Sequence, residues 1–177
     1  MNNFTKKNIL ERIPTKFRKL EFLYVMIAMF FGMIFILIIP PGWNPDETQH
    51  YWRAQHIAHG GTIPTEFAGQ NGLKYTGGML SEDEAWFIGS YKIGEALEDH
   101  SIKLRFPMWD NEGVVRRGSP DSPKITIPFP GSARYSPLVY LPQSTALAIS
   151  NVIGLALLLG FFLAKLAGLL FQTAAIA

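Results

Sequence analysis

The stretch "FLYVMIAMFFGMIFILII", residues 22–39, contains 18 consecutive residues without a charged side chain. An apolar run of this length is typical of a helix that crosses a lipid bilayer. A second apolar region, residues 135–177, carries one charged side chain, Lys165, among 43 residues. The two regions predict an α-helical integral membrane protein, with the lipid bilayer as its first partner.

The basic residues before the first run predict its orientation. Residues 1–21 hold six Lys and Arg side chains against two Glu side chains. By the positive-inside rule, this basic segment is expected in the cytoplasm, and residues 40–134 on the outer side. A cleaved signal peptide is the alternative, but the basic segment is long and no small-residue cleavage site follows the run. The net charge of +2 does not indicate a nucleic-acid partner, and a sequence without cysteine excludes disulfides.

Residues 40–134 form the predicted extracytoplasmic loop, which holds 12 of the 14 acidic residues. Asn44 as N-cap, Pro45 at the first helical position and Glu47 at the capping-box spacing predict a helix over residues 45–59. Two glycines follow this segment and are expected to end the helix.

Two further elements are predicted in the loop. The motif "SEDE" at residues 81–84 indicates the start of a helix that continues to about residue 100. The stretch "KITI" at residues 124–127 predicts a short strand inside a segment rich in proline and glycine.

The second apolar region allows two interpretations. Three polar side chains in its first part share one helical face, which favours an interfacial or re-entrant segment over residues 135–154 and a membrane helix over residues 155–177. The alternative is one span over residues 138 to about 158, a turn near Lys165, and the start of another span. Because the sequence ends in apolar residues, we expect the N-terminal part of a longer multi-pass protein.

Asp46 and Glu47 are the candidate catalytic residues, because they follow the first membrane segment directly. A carboxylate there can act as a general base for an acceptor hydroxyl. Asp46 could also hold a divalent cation, Mg or Mn, that bridges phosphates. The alternative is that both carboxylates only stabilise the helix dipole. His50 and Arg53 follow Asp46 at i+4 and i+7, on a face suited to a phosphate-bearing substrate or to ordinary surface ion pairs.

Other basic residues are candidates for substrate binding. Arg116 and Arg117 could contact a phosphate, although attraction to anionic lipid headgroups is the favoured alternative. Lys165 is expected to face a cavity or the protein interior, because a charge at the bilayer centre costs about 2.5–3.5 kcal/mol on insertion scales. In the alternative topology, Lys165 lies in a cytoplasmic turn. His56 and His59 could chelate a metal at their i, i+3 spacing, but they are expected to be structural or solvent-facing.

Two stretches carry recognisable signatures. "PPGWNPDETQHYWRAQHIAHGG", residues 40–61, contains a Pro-Asp-Glu, a nearby His, an Arg-Ala and a closing Gly, and "YSPLVYLPQ", residues 135–143, reads Tyr-x-Pro-Leu-x-Tyr-x-Pro-Gln. In this order and membrane context, they resemble a family of bacterial multi-pass membrane proteins described only as predicted and of unknown function. That family commonly has an arginine in the next membrane helix. This sequence has Lys165 there, which keeps the charge and loses the bidentate fork.

That family is itself similar to the GT-C glycosyltransferases. The resemblance implies a GT-C-like fold in the bacterial cytoplasmic membrane and a polyprenyl-phosphate sugar as donor for glycosylation of the cell envelope. It implies Asp46 as general base or metal ligand, supported by Glu47 and His50, with Arg53 paired to the donor phosphate. No cofactor besides the divalent metal is implied.

A second hypothesis is a non-catalytic membrane protein that assists the assembly of an envelope polymer. In that case "NPDE", residues 44–47, is only a helix cap. A lipid-phosphate site needs walls from more than two membrane segments, so the 177-residue chain alone is expected to be inactive.

Overall fold

The computed structural model describes residues 15–69, 72–88, 118–119 and 121–176, apart from the side chains of residues 15–19. Along these residues the helices are α1 (Thr15–Ile38), α2 (Glu47–Ala58), α3 (Glu82–Phe87), α4 (Pro130–Ala133), a 3₁₀ helix (Pro137–Tyr140), α5 (Leu141–Val152) and α6 (Leu157–Ile176). The strands are β1 (Thr65–Ala68), β2 (Lys74–Ser81) and β3 (Lys124–Pro128).

Two of these helices are long and apolar enough to cross a membrane, Leu20–Ile38 of α1 and the whole of α6. The apolar part of α1 has no buried residue, and its main contact within the described residues is with α6. Gly32 allows the close approach, because a Cβ atom there would lie 2.6 Å from Cδ1 of Leu169. This mainly helical chain agrees with the expected membrane class, whereas the orientation and the GT-C-like arrangement remain predictions.

The strands form an antiparallel sheet with β2 in the centre. Met79 of β2 lies opposite Thr126 of β3, so the strand predicted at "KITI" is confirmed. β2 continues directly into α3 at Ser81, whose side chain forms with Glu84 the capping box that "SEDE" predicts. The rest of that predicted helix, beyond residue 88, lies outside the described residues.

The hydrophobic core joins the loop helix α2 to α5 and α6. The rings of Tyr51, Phe87 and Phe161 contact one another, at centroid distances of 5.5, 5.7 and 5.8 Å. Such tilted aromatic contacts add to the stabilisation from burial. The core therefore fixes α2 against the second membrane helix. Its other buried members are Ala54, Ile88, Tyr140, Leu147, Leu157, Leu158 and Ala164.

The start of α2 differs from the sequence expectation. The helix begins at Glu47, its N-cap is Asp46 with φ 60°, and no side chain caps it. The predicted cap at Asn44 and the first helical position at Pro45 are therefore wrong. The reason is a tight turn before the helix, in which the backbone N–H of Trp43 donates to the carbonyl of Pro40. Since Asp46 precedes the helix, the expected helical face shared by Asp46, His50 and Arg53 does not form.

The second apolar region contains two helices with a break between them. α5 ends at Val152, and Gly154 adopts a left-handed φ of 67° that favours glycine. α6 then runs without interruption through Lys165. The alternative of one span over residues 138–158 with a turn near Lys165 is therefore wrong. The depth of α5 in a membrane stays a prediction.

Candidate functional site

A cavity of about 730 Å³ lies between α1, α2, the 3₁₀ helix, α5 and α6. Its apolar wall includes Phe35 and Ile36 of α1, and its polar wall includes Glu47, His50 and Lys165. Concave sites of this size, with few polar groups in an apolar lining, are the usual binding sites for small ligands. The lining suits an amphipathic ligand, because it combines apolar side chains of the membrane-type helices with the charged pair of Glu47 and Lys165.

Glu47 and Lys165 form an ion pair in this cavity. The Lys165 ammonium lies 2.7 Å from Oε1 of Glu47, and the two side chains are 18% and 11% exposed, respectively. The same oxygen accepts a hydrogen bond of 2.9 Å from the Asn44 amide, and Oε2 accepts one of 2.6 Å from the backbone N–H of Gly42. The ammonium also lies 4.8 Å from the ring centroid of Phe161. The turn before α2 thus holds the carboxylate that compensates the single charge of α6.

His50 and Tyr140 form a second polar pair on the cavity wall. Nδ1 of His50 lies 2.7 Å from the Tyr140 hydroxyl, and the His50 ring lies 5.7 Å from that of Tyr135 between centroids. Burial raises the pKa of Tyr140 above its usual value, so the hydroxyl stays protonated at neutral pH. Ser132 is buried and donates to the backbone carbonyl of Gln49 at 2.8 Å.

Gln143 contributes an amide to the same cavity. Its Oε1 atom is buried and has no hydrogen-bond partner among the residues that the structure describes. A Cβ atom at Gly168 would lie 2.7 Å from Nε2 of Gln143, so only glycine lets this amide lie against α6. This buried acceptor oxygen therefore has no donor among the described residues, which is an unfavourable arrangement in a folded protein.

Asp46 does not line the cavity. It is exposed and precedes α2, and its carboxylate makes no hydrogen bond or ion pair within the described ranges. The described residues also contain no group of three or more His, Cys, Asp or Glu side chains that could hold a metal ion. The expected Mg or Mn site at Asp46 therefore has no ligand set in this part of the chain.

Arg53 lies away from the cavity as well. Its side chain is 1% exposed, and its guanidinium donates to the backbone carbonyl of Thr62 at 2.9 Å and contacts Nδ1 of His56 at 3.3 Å. Burial lowers the pKa of Arg53 from its usual value. Its expected pairing with a substrate phosphate has no support in this geometry. Arg116 and Arg117 lie outside the described residues.

Residues 29–176 match the family described as predicted membrane protein (DUF2142). The chain belongs to this family. DUF2142 is a family of unknown function. Membership therefore supports the membrane class and assigns no activity to the chain. No curated protein and no solved structure matches the chain.

In this DUF2142 protein, the two signature stretches meet in the cavity. Glu47 and His50 come from the first stretch, and Tyr135, Tyr140 and Gln143 come from the second. These last three residues were not among the predicted site residues. Their common membership in the Tyr-x-Pro-Leu-x-Tyr-x-Pro-Gln stretch is the signal that could have identified them.

A second polar cluster of the DUF2142 chain lies at the other end of α2, beside a cavity of about 430 Å³. His59 and Glu84 form an ion pair of 2.7 Å. The hydrogen bond to Glu84 raises the pKa of His59 above 6.5, so the pair stabilises the fold fully below pH 6.5 and loses this contribution as the pH rises above the folded-state pKa. Burial opposes the charged form of Glu84, but hydrogen bonds from His59 and Ser81 lower its pKa below 4.5, so its contribution is present above pH 4.5.

His56 has a structural place beside this cluster. Its imidazole packs so closely against Gly61 and Gly78 that a Cβ atom at either glycine would collide with it. Its ring centroid lies 5.6 Å from that of Phe129. Burial lowers the pKa of His56, with the neighbouring Arg53 charge as a second cause. The histidine is therefore expected to be neutral at pH 7, with Nδ1 accepting a hydrogen bond from the Arg53 guanidinium.

Proposed function

We propose that the chain forms part of a membrane transferase of the GT-C-like glycosyltransferase type, which uses a polyprenyl-phosphate sugar to glycosylate a component of the bacterial cell envelope. The observation that carries the proposal is the ion pair of Glu47 and Lys165 inside an amphipathic cavity between two membrane-type helices. Charged side chains within membrane segments are expensive, so they mark functional sites by default.

The proposed ligand divides along the two walls of the cavity. A polyprenyl tail lies along the apolar side chains of α1 and α6, such as Phe35 and Leu169, and the phosphate reaches Lys165. A phosphate oxygen replaces the Glu47 carboxylate as the partner of the ammonium, because charge-assisted hydrogen bonds to phosphate are equally short and strong. Lys165 takes the phosphate-binding role that was predicted for Arg53.

The sugar and an acceptor hydroxyl then meet near the polar wall. Two groups of the cavity can accept the hydroxyl proton, the Glu47 carboxylate and the His50 imidazole. Asp46 remains a proposed second carboxylate at the outer surface, as does its use of Mg or Mn. No step of the proposal passes through a metal ion.

A second candidate function is a non-catalytic membrane protein of envelope assembly. The observation that favours it is that Glu47 already has three hydrogen-bond donors, two from the turn before α2 and one from Lys165. A carboxylate so fully engaged could serve only to fasten the extracytoplasmic loop to α6.

Photolabelling of membranes that contain the protein separates the two candidates. The probe is a photoreactive short-chain polyprenyl phosphate, with unlabelled polyprenyl phosphate, polyprenol and inorganic phosphate as competitors. We expect Lys165→Met to reduce labelling about 10- to 100-fold, since a charged hydrogen bond contributes about 1.5–3 kcal/mol. Lys165→Arg should retain labelling, and Lys124→Met, at an exposed lysine outside the cavity, is the matched control.

The competitors decide which part of the ligand is recognised. Competition by polyprenyl phosphate but not by polyprenol supports a phosphate site. Equal labelling of wild type and Lys165→Met, or full competition by polyprenol, would refute the transferase proposal. The ion pair would then have only the structural role of holding α2 against α6.

A further inference from the structure

The cavity that contains the ion pair of Glu47 and Lys165 also has an aromatic wall. Tyr135, His50 and Tyr140 line it, and the His50 ring lies 5.7 Å from the Tyr135 ring and 5.8 Å from the Tyr140 ring between centroids. Tyr140 is buried, whereas Tyr135 is 55% exposed in spite of this contact. Because Tyr135 lines the cavity and is more than half exposed, a ligand in the cavity can contact its ring.

Backbone contacts fix the position of Tyr135 relative to α2. The N–H of Tyr135 donates to the carbonyl of Ser132 at 3.2 Å. The Ser132 hydroxyl donates to the carbonyl of Gln49 at 2.8 Å, and the Gln49 side chain accepts from the N–H of Gly131 at 2.9 Å. These bonds fasten the segment before Tyr135 to α2 beside His50. The wall is therefore formed before a ligand arrives, which reduces the entropic cost of binding.

Three polar groups beside this wall have unused hydrogen-bonding capacity within the described ranges. The Tyr135 hydroxyl and Nε2 of His50 make no hydrogen bond there. The Asn44 amide donates through Nδ2 to the Glu47 carboxylate, which only accepts when ionised, so the orientation of the amide is fixed and Oδ1 is free to accept. A ligand with several hydroxyl groups can bind all three.

Asn44 connects this wall to the proposed phosphate position. Oε1 of Glu47 accepts from the Asn44 amide at 2.9 Å and from the Lys165 ammonium at 2.7 Å. Because both donors contact one oxygen, a group bonded directly to a phosphate at Lys165 lies within reach of Asn44. In a polyprenyl-phosphate sugar, that group is the sugar ring.

A sugar ring matches these features, whereas the other parts of the ligand do not. Its C–H hydrogens pack on the negative face of an aromatic ring, and its hydroxyl groups donate and accept hydrogen bonds. A polyprenyl chain uses no hydrogen-bond partner, and the negative charge of a phosphate is repelled by an aromatic face. Lys165 is the one Lys or Arg among the described lining residues, so a second negative charge on the sugar would have no cation to pair with.

We propose that Tyr135, His50 and Asn44 form the sugar subsite of this cavity, and that the subsite selects an uncharged hexose. The proposal rests on the transferase function proposed above and names the class of sugar that it left open. Tyr135 provides the packing surface, and Oδ1 of Asn44 accepts from a sugar hydroxyl. Nε2 of His50 binds a second hydroxyl in either tautomer, because a hydroxyl both donates and accepts.

The alternative role of Tyr135 is an anchor at the membrane surface, where Tyr and Trp are enriched. An anchor does not discriminate between lipids with and without a sugar, so a comparison of two such lipids separates the two roles. Trp43 is the matched control residue. It is 46% exposed and precedes α2, but it is not among the described residues that line the cavity.

Competition photolabelling of the full chain in membranes tests the subsite. The probe is the photoreactive short-chain polyprenyl phosphate, and the competitors are two diesters of equal charge, polyprenyl phosphoglucose and polyprenyl methyl phosphate. We expect the glucose diester to compete at about 10-fold lower concentration, the size of one or two net hydrogen bonds. Tyr135→Leu should keep probe labelling and lower this ratio at least about threefold, through loss of the aromatic contact. Tyr135→Trp should retain most of the ratio, and Trp43→Leu should leave it unchanged.

Equal competition by the two diesters in the wild type, or an unchanged ratio in Tyr135→Leu, would overturn the subsite. A polyprenyl phosphoglucuronate that competes as well as the glucose diester would overturn the selection of an uncharged hexose. Failure of the transferase proposal is distinguished by the labelling itself. Equal labelling of wild type and Lys165→Met removes both proposals, whereas labelling that depends on Lys165, with equal competition by the diesters, removes the sugar subsite alone.

Discussion

The ion pair of Glu47 and Lys165 predicts that loss of the carboxylate and loss of the ammonium have unequal effects on stability. Glu47→Gln leaves the Lys165 ammonium without a negative partner in a helix of membrane type. Lys165→Met removes the charge altogether and leaves Glu47 with the donors of Gly42 and Asn44. The carboxylate variant should therefore be the more damaging of the two.

The expected magnitudes follow from the geometry. Loss of one partner from a buried ion pair destabilises the folded protein by about 3–5 kcal/mol. Because both side chains are partly exposed, we expect about 3 kcal/mol for Glu47→Gln. Lys165→Met loses a charge-assisted bond of about 1.5–3 kcal/mol. It regains about 2.5–3.5 kcal/mol by removing a charge from the membrane segment, so the net effect should be close to zero. The double variant should be much less destabilised than Glu47→Gln alone.

Thermal unfolding of the purified protein in detergent measures this cycle. At about 2–4 °C per kcal/mol for a chain of this size, Glu47→Gln should lower Tm by about 6–12 °C. Asp46→Asn is the control: its carboxylate is exposed, asparagine tolerates the left-handed backbone, and the loss should stay below about 1 kcal/mol. If both single variants lowered Tm equally, and the double variant by their sum, the ion pair would not exist in the folded protein.

Three further predictions concern the packing, the pH dependence and the topology. Gly78→Ala places a methyl group against the His56 ring and should lower the free energy of unfolding by about 1–3 kcal/mol in chemical denaturation; an unchanged midpoint would contradict this packing. His59→Gln should lower Tm more at pH 6 than at pH 8, because the raised pKa of His59 makes its ion pair strongest below pH 6.5; an equal effect at both pH values would exclude the charged pair. A cysteine in place of Thr65 should react with an impermeant maleimide in intact cells, and one in place of Asn3 only after permeabilisation; the reverse pattern would invert the orientation.

α1, the start of α3, the break at Gly154 and the strand β3 were predictable because local patterns determine them, whereas β1 and β2 were not predicted. The charge-free run of residues 22–39 specifies a helix by apolar length alone, "SEDE" specifies its helix start by side-chain capping, and Gly154 marks a break where the backbone needs a positive φ. The start of α2 was not predictable from such signals. Asn44 and Gly42 donate hydrogen bonds to the Glu47 carboxylate in a turn, so Asn44 does not cap the helix as predicted. Glu47 also contacts Lys165 of α6, a tertiary contact that no local pattern reports.

The candidate site was only partly predictable, because its members are far apart in sequence. The carboxylates, His50 and Lys165 could be selected as polar residues near or within apolar sequence. The contact of His50 with Tyr140 joins residues 90 positions apart, and no spacing rule reports it. For Arg53 the error was the opposite one, because helical periodicity predicted a shared face with His50. In the structure its guanidinium donates to the carbonyl of Thr62 and lies on the buried side of α2.

Asp46 and Glu47 show why neighbouring carboxylates in one motif have different chemistry. Asp46 has a left-handed backbone, and the chain reverses there before the helix begins, so its side chain leaves towards solvent. Glu47 is the first helical residue, and its side chain points to α6, where Lys165 lies. Because this lysine belongs to a membrane-type helix, its charge is compensated only when the segment that carries Glu47 has folded onto α6. A ligand that binds Lys165 with its own negative charge competes with Glu47 for the ammonium group. Ligand binding in the cavity and docking of the loop are therefore linked through one ammonium group.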